Sequence, residues 1–236
     1  MRAQTGEFLA EGPQAVREAL AISAALEVFA TSSFDDWRAG ADLGDVVWNL
    51  VSEVELADIA DAVTPQGIVA RCRSVVRPLD VLPPTPRLVA VGVDVRDPGN
   101  AGSIIRAADA AGADAVVFAG NSVDPQNPKA VRATVGSLFH LPVIVERDAS
   151  AVLVALQASG LRILAADGGG EVSLFDADLV APSAWLFGNE AHGLGAVADL
   201  ADARVAIPIY GKAESLNLAT AAAVCLYASA RAQRAN

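Results

Sequence analysis

The sequence is poor in cysteine, histidine and positive charge, and each shortage removes a class of protein. It holds two cysteines and two histidines among 236 residues. Cys72 and Cys225 stand far apart with no Cys/His ligand spacing around them, which excludes a disulfide framework and a zinc site and leaves two buried thiols. No apolar run reaches the ~18 residues that a membrane span needs, and the opening MRAQTGEFLAEG has no signal-peptide apolar core. A soluble, cytoplasmic protein with no membrane and no metal is expected. No GxGxxG stands in a nucleotide-binding position. The glycine-rich Asp167–Glu171 follows a strand but opens no helix, so it reads as a flexible loop. Lys and Arg number 17 against 28 Asp and Glu, a net charge of −11. That balance excludes a surface attracting nucleic acid everywhere and allows only a local basic groove.

What is present is apolar: 53% of residues are hydrophobic, enough for one large domain or two small ones. From residue 1 to about 77 the elements are short and mixed. Strands are predicted at Phe8–Ala10, Leu26–Thr31, Val46–Val51 and Ile68–Val75. Helices are predicted over Pro13–Ala21 and after Ser52, where Glu55 completes a capping box. This module is acidic: residues 1–86 carry 6 Lys/Arg and 13 Asp/Glu, net −7, leaving −4 for the rest. Residues 78–86, PLDVLPPTP, hold four prolines in nine positions, which reads as a stiff linker.

Beyond the prolines, apolar runs alternate with helical segments. Strands are expected at Leu88–Val93, Ala115–Ala119, Pro142–Val145, Leu161–Ala165, Ala184–Phe187 and Arg204–Ile209. Helices are expected near Ala101–Ala111, Lys129–Leu138, Ser150–Ser159 and Leu216–Arg231, the last with Ser215 at its N-cap. Such an alternation predicts an α/β fold with a mostly parallel sheet and helices on both faces. Ligands bind such sheets beyond the carboxyl ends of their strands, and three polar stretches lie at such ends.

The first, DPGNAGSIIRAADAAG (Asp97–Gly112), is a strand-to-helix turn with Asn100 at the predicted N-cap and Arg106 on the helix. The second, LFGNEAHGL (Leu186–Leu194), is a glycine-rich turn carrying Glu190. In the third, within AIPIYGKAESLNLATAAA (Ala206–Ala223), Ser215 and Asn217 offer a hydroxyl and an amide at a helix mouth. Each alone also reads as ordinary structure: a capped helix with a solvated or salt-bridged Arg106, an exposed turn with Glu190 in water, and a well-capped terminal helix, which is the better reading of Ser215 and Asn217 taken alone.

Together and in this order the three stretches resemble the signature motifs of the SpoU/TrmH family of ribose 2′-O-methyltransferases, and the resemblance runs from about residue 87 to 236. It implies a domain order of residues 1–77 for RNA recognition, 78–86 as linker and 87–236 for methyl transfer. It also implies a trefoil knot in the sheet, a homodimer with the site near the interface, and S-adenosylmethionine held by backbone at Gly188, Ile207 and Leu216. Arg106 would act at the ribose 2′-hydroxyl, aided by Asn100. A guanidinium is a poor base, so Arg106 fits better as a phosphate binder that orients the hydroxyl. Glu190, Ser215 and Asn217 would face the reaction centre, with His192 outside the motif. Residues Asn127–Gly136 resemble the family too, where Arg132 would touch RNA phosphate; as an ordinary helix it would simply be a surface cation. Arg106, Lys129, Arg132 and Lys212 would together form one basic groove at the strand rim.

Through FLAEGPQAVREAL and TPQGIVAR the N-terminal module resembles the ribosomal-protein L30e-like RNA-recognition domain often joined to these enzymes. The basic helix usually preceding that first strand is missing and only Arg2 stands there. Either the module does not bind RNA or the native chain starts upstream of Met1. The arrangement resembles the rRNA-modifying, thiostrepton-resistance-like branch, which implies 23S rRNA ahead of tRNA as substrate. Two other classes compete: a catalytically silent RNA-binding protein, and a small-molecule methyltransferase, which the acidic charge suits.

Overall fold

Two separate sheets order residues 6–235, which the computed structural model describes; Arg2 lies outside the described residues. The first sheet has four strands in the order β1-β4-β2-β3. They are β1 (Glu7–Glu11), β2 (Ala25–Ala30), β3 (Val47–Leu50) and β4 (Ile68–Arg73). β4 runs antiparallel to β1 and β2, and β3 lies parallel to β2 at the edge. Helix α1 (Pro13–Ala21) starts on Pro13, whose fixed φ suits a first helical turn. After the short α2 (Asp35–Ala39), α3 (Glu53–Ile59) is opened by Ser52 and Glu55 in a reciprocal capping box, as their spacing predicts.

The second sheet has seven strands in the order β7-β6-β5-β10-β8-β11-β9, every pair parallel. They are β5 (Leu88–Val93), β6 (Ala115–Ala119), β7 (Val143–Glu146), β8 (Arg162–Ala166), β9 (Val172–Ser173), β10 (Ser183–Phe187) and β11 (Ala203–Ala206). All six residues of β5 and all five of β10 are buried, as a central strand covered on both sides requires. Along β5, Leu88 and Ala90 join one apolar cluster while Val89, Val91 and Val93 join another. On the first side lie α4 (Pro98–Ala111) and the terminal α7 (Leu218–Arg234); on the second lies α6 (Ala149–Ala158). Trp185 of β10 donates its indole N–H to Ser229 of α7 at 2.8 Å, which fixes the terminal helix on the sheet while satisfying a buried polar group.

Several boundaries differ from the sequence reading. β11 ends at Ala206 because Pro208 has no N–H for a ladder. The helix expected over Lys129–Leu138 is α5 (Pro128–Thr134), broken where Val135 and Gly136 take left-handed backbone, with a 3-10 turn at Ser137–Phe139 after the break. Two N-caps move. Asp97, not Asn100, caps α4, accepting the Asn100 N–H with Pro98 at the first helical position. Asn217, not Ser215, caps α7. A carboxylate ahead of a helical proline, and an amide two residues past a serine, meet the geometric need of a cap better than the residues chosen from pattern. Residues 78–86 are tethered, not free-standing: Leu79 and Leu82 pack on the second cluster, and just ahead of them Arg77 forms a parallel bridge to Ile144 of β7. Residues 167–171 are tethered too, since Asp167 accepts from Gly169 and from the Arg204 guanidinium at 2.6 Å.

The two sheets meet along α5 and the turn after it. Phe8 stacks on Phe139 with centroids 6.1 Å apart. Arg132 reaches from α5 to Glu11 and Asp61, each at 3.0 Å, and the Glu11 side chain is only 5% exposed. His140 lies between Asp109 of α4 and Glu18 of α1, at 2.7 and 3.2 Å. Gln126 accepts from the Val75 N–H at 2.9 Å. The acidic charge of the N-terminal module is thus partly spent on holding it against the larger sheet.

Candidate active site

The carboxyl ends of β10, β8 and β11 open onto a cavity of about 690 Å³. Its walls come from Asp167–Gly168, Gly188–Glu190, Ile207–Ile209 and Glu214–Leu218. That volume suits a small-molecule or cofactor pocket, which usually spans about 300–1,000 Å³. Gly188 is required where it stands: a Cβ there would collide with the backbone of Gly193 and Leu194. Among the described residues, no backbone–backbone hydrogen bond ties residues 207–216 into the fold, so their peptide groups remain available to a guest. Gly188, Ile207, Leu216 and Ser215, expected at the site from sequence, all line this cavity.

At its mouth three side chains form a chain whose polarity can be read from one end. Asn217 Oδ1 accepts the backbone N–H groups of Ala219 and Thr220 at 3.0 and 3.3 Å. A backbone N–H can only donate, so the Asn217 amide nitrogen must point away from α7. It donates to Asn100 Oδ1 at 3.0 Å. With its oxygen occupied, Asn100 turns its own nitrogen to Glu190 Oε1, donating at 2.8 Å. The helix terminus therefore dictates that Asn100 donates to Glu190 and that Glu190 Oε1 accepts. Asn100 can do this because Asp97 has taken over the cap and left the Asn100 side chain free. Three elements distant in sequence converge here, joined across 90 and 117 positions.

The loop carrying Glu190 is a tight hairpin. Asn189 and Gly193 exchange both backbone hydrogen bonds, at 2.9 and 2.8 Å. The Asn189 side chain accepts from Ala191 and His192 and donates to the Asp94 carbonyl at 2.9 Å. Asn189 was absent from the sequence reading although it lies inside the second motif; its flanking by Gly188 and Glu190 was the available signal. The Asp167–Gly168 wall was also missed, and there the signal was a polar turn directly after an apolar strand.

The predicted cations divide. Arg106 is exposed, its side chain makes no hydrogen bond or ion pair among the described residues, and it does not line the cavity. It stands six residues beyond Asn100 on α4, about 9 Å along the helix axis. Lys212 is exposed beside the cavity. Lys129 is held by Asp97 at 2.8 Å, and Lys129 is the first cause holding the Asp97 carboxyl below its usual range. Arg132 is committed to Glu11 and Asp61. The four charges do not stand as one open groove, because two of them are neutralised by carboxylates that also order the fold. Cys72 and Cys225 are buried, and burial pushes both thiols up to about 12, which removes them from nucleophilic roles. His192 is exposed on the rim. Among the described residues no cluster of His, Cys, Asp and Glu could hold a metal, and no helix is long and apolar enough to cross a membrane.

Comparison with known proteins places this geometry. The sequence profile of the SpoU rRNA Methylase family matches residues 87–227, and that of the MRM3-like substrate binding domain matches residues 1–70. The 23S rRNA (guanosine(2553)-2′-O)-methyltransferase RlmP of Bacillus subtilis is 35% identical over 96% of this chain and 89% of its own length. The crystal structure of the SpoU methyltransferase AviRb from Streptomyces viridochromogenes, in complex with the cofactor AdoMet, superposes with a TM-score of 0.88 at 30% identity, over 100% of this chain and 94% of that one. A structure described as giving insights into the 2-OH methylation of C/U34 on tRNA matches over only 63% of this chain but 97% of its own, with a TM-score of 0.58 at 31% identity.

Proposed function

The chain belongs to the SpoU rRNA methylase family, and we propose that it transfers the methyl group of S-adenosylmethionine to a ribose 2′-hydroxyl of 23S rRNA, in the cytoplasm. The observation that carries this reading is the Asn217–Asn100–Glu190 chain at the mouth of a cavity walled by Gly188, Ile207 and Leu216. The cavity fits the donor: Gly188 forms part of its wall, and the unpaired peptide groups of 207–216 suit an adenine edge. When bound, S-adenosylmethionine supplies a sulfonium-activated methyl group. Gly188, Ile207 and Leu216 hold the donor. Glu190, Ser215 and Asn217 surround the incoming hydroxyl. A guanidinium is a poor base, so the part of Arg106 is to bind phosphate and orient the ribose by charge.

Ribosomal RNA is favoured over tRNA as substrate. The relative similar over nearly the whole chain acts on 23S rRNA, while the tRNA-related structure has no counterpart to about a third of this chain. In our reading residues 1–77 are an L30e-like recognition unit, 78–86 a linker and 87–236 the transfer unit. The placement of β10 between β5 and β8, with the chain returning to α7, suits a trefoil knot in that unit. The exposed Tyr227 on α7 and the unpaired Arg106 on neighbouring α4 suit a homodimer that brings Arg106 to a site. With both RNA-facing candidates on α5 already paired, Arg106 and Lys212 carry the phosphate contacts first, and Lys129 and Arg132 would have to exchange their carboxylates to join them.

The test is transfer of labelled methyl from S-adenosylmethionine to total RNA and to a small-molecule extract, with wild type and Arg106→Ala. Label in large-subunit rRNA is expected for wild type and is lost in Arg106→Ala, while calorimetry shows donor affinity unchanged. Label only in small molecules, or full turnover of Arg106→Ala on RNA, would defeat the assignment.

A further inference from the structure

The loop that carries Glu190 is joined to the strand end that precedes Asn100 by a single side chain. β5 finishes at Val93, and the next residue, Asp94, has φ of 53°, one of three non-glycine residues in the left-handed region among those described. Such backbone is tolerated by Asp when its short side chain bonds locally. Here Asp94 Oδ1 accepts the Asn121 N–H at 2.7 Å, and the Asp94 N–H gives to the Ala119 carbonyl at 3.2 Å. The strained residue is thereby pinned to the end of β6. Left-handed backbone at this point turns the Asp94 carbonyl out of the ladder and presents it to the next strand's loop. Asn189 takes it, donating Nδ2 at 2.9 Å.

The other end of the same amide holds the hairpin. Asn189 Oδ1 accepts from Ala191 at 2.9 Å and His192 at 3.2 Å, the two N–H groups that follow Glu190. From Asp94 the chain runs through Val95, anchored by Ser122 at 3.1 Å, into the turn that delivers Asn100. Asn189 thus spans the carriers of both partners of the 2.8 Å Asn100–Glu190 bond, one through its nitrogen and one through its oxygen. No other side chain among the described residues hydrogen-bonds both of these segments through a backbone group on each. A turn stabiliser would need only the oxygen; the nitrogen's reach to a strained carbonyl on another strand adds a registration that a local turn does not require.

We propose that Asn189 is a positioning residue: it registers the Glu190 loop against the left-handed Asp94 carbonyl and so sets the geometry of the Asn100–Glu190 contact. The proposal rests on the assignment of that contact to methyl transfer, but its first test needs no substrate. In Asn189→Asp the acceptor for Ala191 and His192 is kept, and the donor to Asp94 is replaced by an oxygen. In the free protein the Asn100 side-chain amide, donating to a carboxylate, should give shifted 15N–1H signals that collapse toward ordinary values in Asn189→Asp as they do in Glu190→Gln. Unchanged Asn100 signals in Asn189→Asp would overturn the proposal whatever the protein methylates. The second test is a cycle in single-turnover transfer of labelled methyl to 23S rRNA. Asn189→Asp should lower the rate about tenfold alone and less than about twofold in a Glu190→Gln background, with donor saturating for every variant. An equal loss in both backgrounds would show a general structural role and overturn it. Should Asn189→Asp fold poorly, Asn189→Ser keeps a turn acceptor, cannot reach Asp94, and serves both tests in the same way.

Discussion

Replacing Asn217 by aspartate separates the two jobs of that side chain. Aspartate caps a helix as well as asparagine, so the bonds from Ala219 and Thr220 survive and α7 keeps its start. What disappears is the N–H donated to Asn100 at 3.0 Å, now replaced by a carboxylate oxygen facing an amide oxygen. Asn100 must then turn its nitrogen toward the new carboxylate or keep it on Glu190, and one contact is left unmade either way. A hydrogen bond of this kind contributes about 0.5–1.5 kcal/mol, and one to a charged group about 1.5–3 kcal/mol. Glu190 and Asn217 are exposed, so screening holds the loss to about 1–2 kcal/mol, or roughly 5–30-fold in kcat/KM. The assay is methyl transfer to 23S rRNA at saturating donor, with a thermal melt on the same preparation. Asn217→Asp should melt within about 1–2 °C of wild type while losing activity; Asn217→Ala, which removes the cap, should fall a further 2–4 °C or so. Asn217→Asp with wild-type activity would refute the polarity argument, and so would a loss that merely follows a lowered Tm.

Three further outcomes follow from the geometry. Gly188→Val should abolish donor binding by calorimetry, because its Cβ meets the backbone of Gly193 and Leu194 and the hairpin cannot close; unchanged affinity would put the donor elsewhere. Arg132→Ala should cost about 2 kcal/mol, roughly 4–8 °C in Tm, by leaving buried Glu11 without its cation. The salt slope of RNA binding should stay as in wild type, whereas loss of a phosphate contact would flatten it by about one unit. His140 is held above its ordinary value first by Asp109 and then by Glu18. A raised folded value means its contribution is complete below about pH 6.5 and is lost as pH rises through that value. Unfolding midpoints measured from about pH 6 to 8.5 should therefore fall more steeply for wild type than for His140→Gln, and parallel curves would contradict this.

Much of this fold was legible because its signals are local. Pro13 starting α1, Ser52 and Glu55 boxing α3, and the apolar runs of β5 and β6 all report on residues within one element. The caps were harder. Asn100 and Ser215 are good cap residues by type, and only the φ imposed by Pro98 and the actual start of α7 show that Asp97 and Asn217 do the capping. The fate of the cations was not legible at all. Nothing near Arg132 in sequence announces Glu11, 121 positions away, or Asp61, 71 away, so neither the phosphate contact that the family resemblance implies nor the surface cation of an ordinary helix includes these two partners. The gathering of Gly188, Ser215, Leu216 and Asn217 at one cavity was foreseeable from strand ends. The Asn217–Asn100–Glu190 polarity was not, because it follows from which atom of an amide is already occupied.

The measurement that bears most directly on the central assignment reads the position of the transferred methyl. A methyl on the 2′-oxygen removes the internal nucleophile that lets alkali cleave RNA, so the adjoining phosphodiester survives. Ribosomal RNA labelled by the protein from methyl-labelled S-adenosylmethionine should give, after alkaline hydrolysis, radioactivity confined to an alkali-stable dinucleotide from 23S rRNA. Label recovered in mononucleotides would place the methyl on a base, and no label in RNA at all would contradict the assignment outright.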